Sequence, residues 1–204
     1  MSVTGAVLTL FVVGHMLGNL QLYLGPEALN HYARLLRVEP PLLWTIRLVL
    51  LACVLLHAAT GTVLWFENRA ARPEGYACFR TVKATIASRT MLYSGLIVAG
   101  FIVYHLLHLT FGRIEPRGYV MEEGNVYANV VQGFRDPFIS GLYIVGQLLL
   151  YFHLSHGIQS LFQSLGWKGA SYSGRIERLG SVVAFLVTAG NISMPVAVLV
   201  GLIR

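Results

Sequence analysis

Charge is what this sequence has least of. Only 12% of its 204 residues are Asp, Glu, Lys or Arg, where a soluble domain carries about a quarter. Acids are the scarcer sign, nine against 15 Lys and Arg, for a formal net charge of +6. Cysteine is nearly absent: Cys53 and Cys78 make no metal-ligand spacing and no obvious bridge. Lack of charge excludes an ordinary soluble domain, and a mean hydropathy of +0.64 indicates an integral membrane protein. In such a chain a pI near 9.6 reflects loops that orient the protein and face anionic headgroups. Membrane lipid, and no nucleic acid, is the expected neighbour.

What is abundant is long apolar runs. A span needs about 20 mostly apolar residues, and five stretches qualify: 3–24, 42–66, 89–112, 137–164 and 179–203. They predict an all-α, five-helix transmembrane bundle forming one domain over 1–204. The first and fourth runs are broken by Gly14, His15, Gly18 and Asn19, and by His153, Ser155, His156 and Gly157. Polar and small residues of this kind face other helices or a ligand, not lipid. No basic n-region or small-residue cleavage site precedes the first run, so no cleavable signal peptide is expected. The sequence starts at the edge of that run, which leaves a short native extension open.

Five spans put the termini on opposite sides. One side holds Arg69, Arg72, Arg80, Lys83, Arg89, Lys168, Arg175 and Arg178 against Glu67, Glu74 and Glu177. The other holds Arg34, Arg37, Arg47, Arg113, Arg117, Arg135 and Arg204 against six acids. The Lys/Arg difference, eight against seven, favours the N-terminus and loops 67–88 and 165–178 in the cytoplasm. Outer loops 25–41 and 112–136 are expected to form short interfacial helices. Pro137 and the Pro40–Pro41 pair suit helix starts, and Pro195 is expected to kink the last span.

Four of the seven histidines fall one per span: His15, His57, His105 and His153. An ionisable ring inside a bilayer is costly without a functional partner. At 1.5 Å per residue, His15 and His105 lie about 18 and 24 Å from the inner ends of their helices. His57 and His153 lie about 22 and 24 Å from the outer ends of theirs. The depths pair His15 with His105 in the outer half and His57 with His153 in the inner half. Two bis-histidine haems, stacked across the membrane, would use all four as iron ligands. Bis-His iron has no open position, so such haems carry electrons without activating oxygen. Gly14 and Gly18 beside His15, Gly61 after His57 and Gly157 after His153 occupy neighbouring helix positions, where a missing side chain admits a flat macrocycle or another helix. The bland alternative is four interhelical hydrogen bonds with glycines for packing. His108 and His156 lie one turn from His105 and His153; each could be the ligand itself, or bond a propionate or quinone. His31 falls in a loop.

Several stretches also resemble a known family. They are Gly14-His15-Met16-Leu17-Gly18-Asn19-Leu20-Gln21, Asn30-His31-Tyr32-Ala33-x-Leu35-Leu36-Arg37, and Leu56-His57-Ala58-x-x-Gly61. Further along come Ser88-Arg89-x-Met91-x-Tyr93-Ser94-Gly95, Tyr104-His105-Leu106, Phe152-His153-Leu154-Ser155-His156-Gly157, and Ser164-Leu165-Gly166-Trp167. As an ordered set they resemble the five-helix, dihaem cytochrome b membrane anchor of succinate dehydrogenase and fumarate reductase. The resemblance implies two haems b on His15, His57, His105 and His153. It also implies a cytoplasmic FAD flavoprotein and an iron–sulfur subunit as partners, with quinone, menaquinone by family habit, as the membrane substrate. It implies a bacterial inner membrane, and leaves higher oligomers of the complex open. Some dihaem relatives carry a glutamate two residues before the fourth ligand. Here that residue is Tyr151, so a proton route of that kind is not expected.

Propionates and a quinone headgroup both need donors at the membrane ends. Arg89, His156 and Lys168 are inner candidates; Arg34, Arg37 and Arg113 are outer ones, Arg being suited to bidentate carboxylate binding. For quinone the outer end is favoured, with Asn19, His31, Glu39 and His108 as candidates, because quinone reduction needs a titratable group nearby. Rival readings are a haem b anchor of another quinone-linked dehydrogenase, a haem-free anchor, or a proton-relaying transporter. The last would call for acids buried in the spans, which are essentially absent.

Overall fold

This computed structural model describes residues 1–71, 86–116, 118–167, 169 and 172–204, with the side chains of Ile86 and Ala87 excepted. Arg72, Glu74, Cys78, Arg80, Lys83, Arg117 and Lys168, each named above, lie outside the described residues. Among the described residues every regular element is a helix. Five are long and apolar enough to cross a membrane: Ser2–Leu24, Pro40–Ala70, Met91–Thr110, Pro137–Ser164 and Ser173–Leu199. The protein is a multi-pass membrane protein with an all-α transmembrane bundle. In hydrocarbon, helices satisfy their own backbone groups, which is why apolar runs of this length fold this way.

In chain order, α1 (Ser2–Asn19) tightens into a 3₁₀ turn (Leu20–Leu24), and α2 (Pro26–Leu35) follows. Then come α3 (Pro40–Ala70), a single turn α4 (Ile86–Arg89), and α5 (Met91–His105), which widens into a π turn (Leu106–Thr110). The chain closes with α6 (Val126–Arg135), α7 (Pro137–Ser164) and α8 (Ser173–Leu199). The outer loops thus contain the two short helices expected of them, α2 and α6, and His31 is helical rather than in a loop. Pro40 and Pro137 occupy first-turn positions, where a missing N–H is harmless. Asp136 caps α7, its carboxylate accepting from the Phe138 and Ile139 N–H groups at 2.8 and 3.3 Å.

Several boundaries differ from the sequence expectation. α3 runs to Ala70 and α8 begins at Ser173. Charged residues ended the apolar runs in the sequence, but Arg and Glu are good helix formers and continue the helix past the apolar zone. α8 ends at Leu199, short of 203, because Gly201 adopts φ 78°. The Leu202 and Gly201 N–H groups then fold back on the Ala197 and Val198 carbonyls at 2.9 and 3.0 Å, a left-handed helix stop that glycine favours. Arg89 closes α4, and Thr90 separates it from the span starting at Met91. Pro195 lies inside α8, which continues past it.

α7 and α8 pack along each other, with α1 and α5 against α7. One core cluster joins Met16, Leu154, Ile158, Ala184 and Val187 between α1, α7 and α8. The other gathers Leu22, Leu29, Val131, Phe134, Tyr143 and Val198 under α2 and α6. That second cluster closes the end of the bundle away from Met1, hereafter the far end. α3 is the least covered span. Leu48, Leu55 and Phe66 are 59–61% exposed, as befits a helix facing lipid.

Candidate functional site

The helices bring the four histidines together as two pairs. The rings of His57 (α3) and His153 (α7) lie with centroids 6.2 Å apart and planes at 72°. Those of His15 (α1) and His105 (α5) are 5.8 Å apart at 86°. No hydrogen bond joins the two rings of either pair among the described residues. The pairs form two layers. The near layer lies level with Thr4 and Ser94; the far layer lies eleven residues further along the same two helices, about 16 Å away.

Hydroxyl groups fix the ring orientations. Thr4 Oγ1 lies 3.2 Å from His57 Nδ1 and donates its own proton to the Met1 carbonyl at 2.8 Å. Ser94 Oγ lies 3.4 Å from His153 Nδ1 and donates to the Met91 carbonyl at 3.1 Å. Because each hydroxyl proton is already engaged, each oxygen must accept from the imidazole. Nδ1 therefore carries the proton in both rings, and Nε2 keeps its lone pair for a metal. A glycine beside each hydroxyl makes room for the ring. A Cβ on Gly5 or Gly95 would come within 3.2 Å of Cε1 of His57 or His153.

In the far layer the hydroxyl is a phenol. Tyr143 Oη lies 3.2 Å from His105 Nδ1 and 2.9 Å from His108 Nδ1. The π turn that follows His105 widens the angle between the two histidines, so both reach one hydroxyl from different sides. His108 is 2% exposed, and a Cβ on Gly133 of α6 would stand 2.7 Å from its Cε1 and Nε2. His105, not His108, faces His15, and His153, not His156, faces His57. His15 stacks on Phe11, with centroids 5.3 Å apart.

These residues fit haem. Metal–imidazole bonds of about 2 Å place the centroids of two opposed rings about 6 Å apart, close to both observed separations. The Nδ1 contacts are of the kind that a metal-binding imidazole makes through its other ring nitrogen. Gly14 and Gly157 have nothing within 4 Å of where a Cβ would be, so no helix contact requires them, whereas a flat group passing there would. Gly18 instead seats the Tyr32 ring, and Gly61 the Met1 side chain. Among the described residues no three His, Cys, Asp or Glu side chains cluster as an all-protein metal site.

The quinone candidates are not brought together by hydrogen bonds. Asn19 donates its amide to the His15 carbonyl at 2.9 Å. His108 is enclosed, and Glu39 is exposed where α3 starts. His31 lines an open surface groove on α2 with Glu27, Asn30 and Arg34. Of the propionate candidates, Arg89, Arg34, Arg37 and Arg113 are exposed and His156 is half-buried.

Sequence reasoning missed Thr4, Ser94 and Tyr143 as ring-holding groups, and Gly133 as the seat of His108. A signal for the first two exists. Thr4-Gly5 stands eleven residues before His15, and Ser94-Gly95 eleven before His105. Eleven residues return to nearly the same helix face, so each of these helices carries a histidine of one layer and a hydroxyl–glycine seat for the other.

Residues 67–189 match the family model described as succinate dehydrogenase/fumarate reductase transmembrane subunit. No curated protein and no solved structure matches the chain.

Proposed function

The chain belongs to the succinate dehydrogenase/fumarate reductase transmembrane subunit family, and from that membership we propose that it is a dihaem cytochrome b anchor. In this reading it links an iron–sulfur subunit and a FAD flavoprotein to membrane quinone. The observation that carries it is the pair of imidazole pairs, each near 6 Å and in separate layers. Each haem, when bound, supplies a one-electron carrier without an open iron position.

The chain's own residues do the rest. His57 and His153, held by Thr4 and Ser94, offer Nε2 in the near layer; His15 and His105 offer it in the far layer. α2 and α6 close the far end over the His105 side of the second layer. Arg69, Arg89, Arg175 and Arg178 stand where α3 ends and where α4 and α8 lie, which makes the near end the docking face and puts the N-terminus in the cytoplasm of a bacterium. Quinone, menaquinone by family habit, binds at the far end. His31 is the candidate there that is exposed and lines an open groove on α2. In this reading succinate and fumarate chemistry belongs to the flavoprotein.

Deleting this chain tests the assignment. Flavoprotein and iron–sulfur subunit should then appear in the soluble fraction, oxidising succinate with an artificial dye but not reducing membrane quinone. Partners that stay membrane-bound with quinone reduction intact would refute it.

A further inference from the structure

We propose that Tyr143 is a positioning residue that ties the far-layer ligand His105 to the buried ring of His108, and thereby sets the far haem's electron affinity apart from the near one's. This rests on the reading of His15 and His105 as haem ligands.

The protons on these three side chains can be counted. With Nε2 of His105 on iron, its ring proton sits on Nδ1 and is donated to Tyr143 Oη at 3.2 Å. The phenol has one proton of its own, and the remaining acceptor is His108 Nδ1 at 2.9 Å. A directed chain results: His105 N–H to Tyr143 O–H to His108. His108 then carries its proton on Nε2, the edge turned toward Gly133. Donation to His108 makes the phenol oxygen a better acceptor, which increases the basicity of His105 and favours oxidised iron.

The near layer is built otherwise. Both hydroxyls there donate to backbone carbonyls, of Met1 and Met91. The Tyr143 ring is also locked in place, 6% exposed and edge-on to Phe134 and Phe101 with centroids 4.9 and 5.3 Å away. His108 is more than filler: burying an imidazole to 2% exposure, on a helix locally rewound to reach it, is costly unless its nitrogens are bonded.

The test is a redox titration by optical and electron-paramagnetic spectroscopy, run on the purified two-haem complex and repeated on His57→Ala, which isolates the far haem. Tyr143→Phe should favour far-haem reduction by about tenfold in the reduced-to-oxidised ratio, or about 59 mV for one electron. The near haem should not move. His108→Leu should shift the far haem less, in the same direction, and His108→Asn, which restores an acceptor near the Nδ1 position, should return it toward the unaltered value. Two retained haems with neither potential moved by Tyr143→Phe, or both moved equally, would overturn the proposal. If Tyr143→Phe loses the far haem, the His108 pair decides: identical potentials in His108→Leu and the unaltered protein overturn it. Absence of haem from the unaltered complex would overturn both this and the anchor reading.

Discussion

The two histidine layers use the same chemistry in different settings. In the near layer, small hydroxyls from the first turns of α1 and α5 hold half-buried rings. In the far layer, one ring rests on a phenol inside the larger core cluster, with α2 and α6 folded over it. The difference teaches where order comes from in a bundle this apolar. Lipid provides no drive for helices to associate, so packing and polar contacts must specify position. The far layer has both. The near layer relies on a hydroxyl and a glycine per ring.

Removing a ligand from each layer separates them most sharply. His57→Ala and His105→Ala should each lose one haem of two, from different layers, by pyridine haemochrome assay; a variant that loses both would mean that the layers are not independent. Overpacking comes next. Gly133→Val pushes a side chain into the His108 ring and should cost about 1–3 kcal/mol, read as a lower melting temperature in detergent. Gly14→Ala, with no atom within 4 Å of the new carbon, should leave melting of the haem-free chain unchanged. Thr4→Val and Ser94→Ala should each weaken near-layer haem retention by about tenfold, measured by haem transfer to an apo-globin, without affecting the far haem. The smallest effect is local to the far end. Asp136→Ala removes the α7 cap and should cost about 1 kcal/mol, visible in thermal unfolding.

The architecture was legible because hydropathy alone specifies a span. The juxtaposition of His15 with His105 and of His57 with His153 was legible because a helix converts residue number into depth. The hydroxyls were not. Thr9, Thr60, Thr62 and Ser164 bond carbonyls four residues back along their own helices, the usual fate of a hydroxyl in a membrane helix. Nothing at a single position distinguishes Thr4 from Thr60. Only the repeat of hydroxyl, glycine and a histidine eleven residues after the hydroxyl in two helices does. Tyr143 was hidden for another reason: its role depends on a π turn, which shifts the face that His108 presents. Asn19 and Glu39 looked suited to quinone by residue type, but the sequence does not reveal that the Asn19 amide turns back onto the His15 carbonyl.

The central claim is that each layer holds one haem b. A dithionite-reduced minus oxidised spectrum of the purified complex, with pyridine haemochrome quantitation per chain, tests it most directly. Two haems b per chain are expected. A complex that retains its flavoprotein and iron–sulfur partners yet contains no haem would contradict the ligand assignments and leave this chain a structural anchor.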